Sequence, residues 1–237
     1  MKKRRKWIIG IIVLLLLAVA GTGYVQDYYR SDDMVQTYLK SESPVKTEII
    51  KEGLFLDGPG EENAFIFYPG AKVEYTAYIP LLYKLSEQGV DVFLVKMPCN
   101  LAFLGKNKAD SIMETYDYDH WYMGGHSLGG AMAAAYASGH LYSLNGLVLL
   151  AAYPTDSLQA EGFEVLSLYG SEDGVLNMEK VEEGKKYMPQ AYREICIQGG
   201  NHAQFGNYGR QKKDGEATIS SEEQQEQTVK EICEMIK

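Results

Sequence analysis

Gly125-His126-Ser127-Leu128-Gly129 sets a serine between two glycines in a G-x-S-x-G pattern. A serine hydroxyl is a weak nucleophile at its own pKa. Chemistry at Ser127 therefore needs a base within hydrogen-bond reach, and an acid to orient that base. The chain offers four histidines: His120, His126, His140 and His202. His126 lies inside the motif, where its side chain is expected to point away from the hydroxyl. His120 falls at the start of the preceding strand, and His140 lies beyond the following helix. His202 alone follows the last strand-like run, Tyr192–Ile197, in Gly199-Gly200-Asn201-His202. For the acid, Phe163–Gly170 reads as a buried strand ending in Ser171-Glu172-Asp173-Gly174, a turn that puts Asp173 just past the strand. Asp156, in Pro154-Thr155-Asp156, is the nearest rival.

These residues must be positioned by their elements. Asp119–Gly124 is aromatic-rich and strand-like, and the alanine-dense run Leu128–Ser138 reads as a helix. A serine at such a strand-to-helix turn is held up at the edge of a sheet, and the glycines let backbone pass closely by. Further strands are expected at Ala64–Tyr68, Asp91–Met97 and Asn145–Ala152. Helices are expected at Tyr75–Gln88, stopped by Gly89, at Asp110–Tyr116, and at Ser221–Ile236 with Ser221 as N-cap. Thr47–Leu56 suggests an antiparallel edge hairpin. The alternation implies a mostly parallel sheet with helices on both faces.

The order Ser127, Asp173, His202 is the order of the α/β-hydrolases. With Tyr68-Pro69-Gly70-Ala71, Gly125–Gly130, Gly170–Gly174 and Gly199–Gly209, the chain from about Glu62 onward resembles a compact, lidless α/β-hydrolase of the dienelactone-hydrolase-like group. The resemblance implies Ser127 as nucleophile, His202 as base and Asp173 as acid. Dienelactone hydrolases use cysteine where this chain has Ser127, so their substrate does not carry over. A tetrahedral oxyanion needs two donors. The backbone amide of Leu128 is one candidate, and the amide of Ala71, in the loop Pro69–Lys72, is the other.

The chain has 237 residues, 46% of them hydrophobic, enough for one domain with a sizeable core. Lys2, Lys3, Arg4, Arg5 and Lys6 are five of its 23 basic residues. The remainder carries 18 against 32 acidic residues, a balance of −14 that excludes nucleic-acid binding through bulk electrostatics. Behind the basic cluster, Trp7–Val25 runs nineteen residues without a charge, about 28 Å as a helix. That predicts one N-terminal transmembrane helix with the hydrolase outside the cytoplasm. The alternative is secretion after cleavage at Ala18-Val19-Ala20. The expected organisation is a membrane segment over 1–30, linker and edge strands over 31–60, and a hydrolase domain over 61–237. No triad or oxyanion element is expected before about Ser31.

Three cysteines, Cys99, Cys196 and Cys233, imply no disulfide and show no metal-ligand spacing. No cofactor is expected. Only about ten residues separate Ala152 from the Phe163 strand, so no large lid is expected and the site should be open. Met97–Phe103, Tyr153-Pro154 and Ala203–Tyr208 are candidate specificity loops. The sequence points to a membrane-anchored serine hydrolase acting on small acyl esters. Acyl transfer by the same triad and a non-catalytic binding domain on the same fold are the alternatives.

Overall fold

The computed structural model describes residues 2–40 and 44–236; within the first helix, the side chains at 2–5, 8, 9, 15 and 17–20 fall outside that description. Eight strands form one sheet: β1 (Lys46–Ile50), β2 (Gly53–Asp57), β3 (Asn63–Tyr68), β4 (Asp91–Val95), β5 (His120–His126), β6 (Gly146–Leu150), β7 (Glu164–Gly170) and β8 (Ala191–Ile197). Their spatial order is β1-β2-β4-β3-β5-β6-β7-β8. β2 pairs antiparallel with both β1 and β4, and β3 to β8 run parallel. From β3 the chain crosses to β4 on one side, then returns to β5 on the other. The crevice beyond the carboxyl ends of β3 and β5 is thus the switch point where open α/β sheets bind ligands.

The central strands are largely apolar runs because both faces are covered. Phe65, Phe67, Leu166 and Leu168 face one layer, with α3 (Ile79–Ser86) and α7 (Ser221–Met235). Ala64, Ile66, Tyr68 and Val165 face the other, with α4 (Lys108–Thr115) and α5 (Leu128–Ala137). The period-2 alternation of a strand sends neighbours to opposite faces, so each layer receives its own set. The small side chains of α5 let that helix lie close on β5. A Cβ on Gly124 would collide with the Phe65 ring and the Val148 carbonyl.

Several expectations need adjustment. The helix expected over 75–88 starts as a 3₁₀ turn, Tyr75–Tyr78, and becomes α-helical at Ile79, one residue before Pro80. Gly89 ends the segment at φ +91°. The cap of α7 is Ser220, not Ser221: Ser220 is extended, and its Oγ accepts from the Glu223 amide at 3.1 Å. The short helix α6 (Met178–Gly184), capped by Asn177, was not expected.

At the N-terminus, α1 spans Lys2–Gln26 and α2 spans Met34–Leu39. Among the described residues no helix is long and apolar enough to cross a membrane. The expected span Trp7–Val25 includes residues 8, 9, 15 and 17–20, whose side chains lie outside the description. The segment between α1 and α2 is built into the body. The Tyr29 amide donates to the Lys72 carbonyl at 2.7 Å, and the Glu74 amide donates to the Tyr29 carbonyl at 2.8 Å. The Tyr29 ring packs on Tyr208, with centroids 5.6 Å apart. Polar flanking residues made this segment read as linker; the aromatic anchor fixes it instead.

Candidate active site

β5 ends at His126 and α5 begins at Leu128, so the turn between them is Ser127 alone. Its backbone sits at φ 53°, ψ −123°, a strained conformation for a residue with a Cβ. The flanking glycines make the turn possible. A Cβ on Gly125 would lie 2.7 Å from the Tyr68 carbonyl oxygen and the Gly130 amide, and one on Gly129 would strike the Tyr68 and Pro69 carbonyls. The start of α5 is therefore pressed against the loop leaving β3.

His202 follows β8 by a tight loop, and its Nδ1 lies 2.8 Å from Asp173 Oδ2. The two side chains are 1% and 2% exposed. The other oxygen of Asp173 accepts from the Val175 and Leu176 amides at 2.8 and 2.7 Å, which locks the carboxylate. With an acceptor on Nδ1, the imidazole proton belongs there, and Nε2 is left as the acceptor. That Nε2 is buried with no hydrogen-bond partner among the described residues. His202 and Ser127 line the same cavity of about 250 Å³, with Leu128, Ala131, Tyr153 and Leu176. A strained serine and a histidine with one bare, oriented nitrogen thus share one small chamber.

The alpha/beta hydrolase family profile matches residues 64–226. The chain belongs to that family. Similar solved structures include Est1E from Butyrivibrio proteoclasticus (16% identity, TM-score 0.57, 82% of this chain and 99% of that one). Others are the carboxylesterase CesB from Bacillus subtilis (12%, 0.55, 91% and 98%) and carboxyl esterase 2 from Tuber melanosporum (11%, 0.60, 89% and 92%). At these identities the likeness is one of fold. No curated protein sequence matches the chain.

The geometry of this hydrolase also defines the loop after β3. Pro69 has no amide hydrogen. The Gly70 amide donates to Tyr78 Oη at 3.1 Å, and the Lys72 amide donates to the Asn100 carbonyl at 2.8 Å. Among the described residues the Ala71 amide has no acceptor, and Leu128, first in α5, can have no intrahelical one. Those are the two donors the sequence nominated.

His126 points away from the cavity, as expected, but it is not idle. It is fully buried; its Nδ1 lies 2.8 Å from Tyr78 Oη, and its ring stacks obliquely 4.5 Å from that of His202. Tyr78 accepts from Gly70, so its own proton goes to His126 Nδ1. Burial holds the His126 pKa well below the usual histidine range, and the nearby His202 pushes the same way. A neutral His126 thus links the loop after β3, through Tyr78, to the His202 ring. Burial also raises the Tyr78 hydroxyl, against the Gly70 hydrogen bond.

Sequence reading missed Asp214. Its Oδ1 accepts from the amides of His202 (3.2 Å), Gly174 (3.1 Å) and Gly215 (2.9 Å), and its Oδ2 from the Ala203 amide (2.8 Å). One carboxylate therefore ties the Asp173–Gly174 turn to the His202 loop. From α7, buried Gln224 accepts from the Asn201 amide and donates to its carbonyl, both at 2.9 Å. Asp214 sits in a Lys-Lys-Asp-Gly stretch that reads as an ordinary surface turn. Of the expected specificity loops, Tyr153 lines the cavity. Met97–Phe103 and Ala203–Tyr208 do not, and Val175–Asn177 take their place.

Proposed function

We propose that the chain is a carboxylic ester hydrolase that works through an acyl-enzyme on Ser127. The observation that carries this reading is the buried Asp173–His202 pair, with Nε2 bare over the cavity that Ser127 lines. His202 takes the Ser127 proton as Oγ attacks the ester carbonyl, and Asp173 stabilises the imidazolium. The Leu128 and Ala71 amides receive the oxyanion. His202 then delivers the proton to the leaving alcohol, and water repeats the cycle on the acyl-serine. The carboxylesterase neighbours favour an ester over an amide substrate. The cavity is small beside common ligand sites of about 300–1,000 Å³, which suits a short acyl group.

The reading includes an anchor. Trp7–Val25 is charge-free behind five basic residues. Along α1, Ile11, Ile12, Val13, Leu14 and Leu16 expose about half or more of their surface. A lipid core is the environment such a helix suits. The basic flank puts the hydrolase on the outer side of the membrane. Protease added to intact cells or spheroplasts should digest the body of a membrane-pelleted protein. A soluble product starting at Gly21 would instead mean cleavage and secretion.

For the chemistry, a fluorophosphonate probe should label the wild type and leave Ser127→Ala unlabelled with its melting curve unchanged. An unlabelled wild type, or equal labelling of both, would refute the assignment.

A further inference from the structure

The chain leaves α1 at Gln26 and is already part of the catalytic edge at Tyr29, whose backbone pairs with Lys72 and Glu74 on either side of Val73. Three residues span at most about 10 Å, so Tyr29 lies within that distance of the end of the helix and the Lys72 backbone is its hydrogen-bonded neighbour. The joint is braced. Lys72 Nζ pairs with Asp27 at 2.9 Å and lies 4.4 Å from the centre of the Tyr24 ring. The Lys212 amide donates to Tyr29 Oη at 3.0 Å. Ala71, the expected oxyanion donor, is the residue before Lys72.

The loop after β4 adds a second observation. Its turn Pro98–Asn100 contacts α1, and the Asn100 carbonyl receives the Lys72 amide. Beyond that turn Phe103 and Leu104 stand 54% and 51% exposed. They share a shallow groove with Lys106 and Lys108. On a body with a balance of −14, an apolar tip flanked by lysines, beside the root of an apolar helix, is the composition of a surface that enters an anionic lipid interface.

We infer that the mouth of the cavity is held against the membrane that carries α1, with Phe103 and Leu104 dipping into its anionic phospholipid surface, and that the substrate is an amphiphilic ester retained in that membrane. The inference rests on the esterase and anchor readings above. A headgroup layer is about 5–8 Å deep on each side of the hydrocarbon core, and a tether of about 10 Å keeps the mouth at that layer. The cavity of about 250 Å³ takes the acyl group while the rest of the molecule stays in the lipid. Ser127 Oγ bonds to the acyl carbon as the bond from that carbon to the alcohol oxygen breaks. That oxygen takes the proton from His202, and the freed alcohol remains in the membrane. Water then cleaves the acyl-serine, releasing the acid and restoring Ser127.

The test uses full-length protein reconstituted in phosphatidylcholine–phosphatidylglycerol vesicles. Two butyrate esters are compared: dioleoyl butyryl glycerol in the vesicles and p-nitrophenyl butyrate in the water. One variant combines Phe103→Ser with Leu104→Ser. Another inserts about 12 Gly-Ser residues between Gln26 and Asp27; this leaves the Tyr29 pairing intact and frees the mouth to move by about 19 Å. Both should keep soluble-ester turnover within about twofold and lose about tenfold on the vesicle ester. Unchanged vesicle turnover in the insertion variant, or a wild type that cleaves only the soluble ester, would overturn the inference and leave the esterase standing. A protein that neither labels with fluorophosphonate nor cleaves either ester would mean that the esterase reading fails and takes this inference with it. Labelled protein that fails to float with the vesicles would mean that the anchor reading fails and takes this inference with it, leaving the esterase standing.

Discussion

Asp214→Asn asks whether one carboxylate holds the base loop to the acid turn. The aspartate receives four backbone amides, three on Oδ1 and one on Oδ2. Asparagine keeps a single accepting oxygen. If that oxygen replaces Oδ1, the side-chain NH2 faces the Ala203 amide, donor against donor. A hydrogen bond to a charged group is worth about 1.5–3 kcal/mol, and an unpartnered buried donor costs a similar amount. Asp214 is half-buried, so solvent screening favours the low end, a net loss of about 2–3 kcal/mol. For a domain of this size that lowers Tm by about 4–12 °C. The catalytic loss should be larger than the stability loss suggests. Two of the four amides belong to His202 and Ala203, so the imidazole shifts with its backbone, and a displacement of about 1 Å costs on the order of a hundredfold in rate. Asp214 does not line the cavity, so the fall belongs in kcat, with KM little changed. Circular dichroism melts and soluble-ester kinetics read both effects, with Glu216→Gln, an exposed neighbouring acid, as control. A variant within about twofold of wild-type kcat and about 1 °C of its Tm would refute the reasoning.

Three further outcomes follow from the same geometry. Asp173→Asn should lower kcat by roughly four orders of magnitude, because Nδ1 loses its acceptor; Asp156→Asn, at an exposed turn, should stay near wild type, and the reverse ranking would move the acid to the earlier strand. His126 is folded in its neutral form with a depressed pKa, while the unfolded chain protonates it below about 6.5. Its stabilising contribution is therefore complete above pH ~6.5 and falls by about 1 kcal/mol from pH 6.5 to 5.5; urea unfolding at both values should show this loss, reduced in His126→Gln, and an unreduced loss would exonerate His126. Removing residues before Asp27 should leave soluble-ester activity intact, whereas removing them through Arg30 deletes the Tyr29 pairing and should cost about tenfold; equal activity in the two truncations would show that the oxyanion loop needs no brace.

The expectation that no triad or oxyanion element lies before about Ser31 left the Tyr29 pairing unread. Tyr29 carries no catalytic group, so no chemical motif marks it, and its pairing partner stands 43 residues away at Lys72. Asp214 was hidden for the same reason. An aspartate beside a glycine looks identical whether its carboxylate faces water or, as here, Gly174 from 40 residues upstream. Tyr78 and His126, 48 residues apart, were each legible as core and not as a pair.

What the sequence determined by itself was whatever local chemistry dictates. Short apolar runs bounded by turns specified the strands, and the alanine-rich run after Ser127 specified α5. Gly125, Gly129 and Gly130 marked a turn where backbone crosses backbone. The order of Ser127, Asp173 and His202 along these elements sufficed to nominate the three, because each lies at the same end of a parallel strand. Only the tertiary structure decided what holds them there: the Asp214 clamp, the neutral His126 beneath His202, the Tyr29 brace and the single unpaired amide of the Ala71 loop. Each of these is a hydrogen-bonding choice among groups distant in the chain, and such a choice exists only after the sheet has brought their segments within about 3 Å.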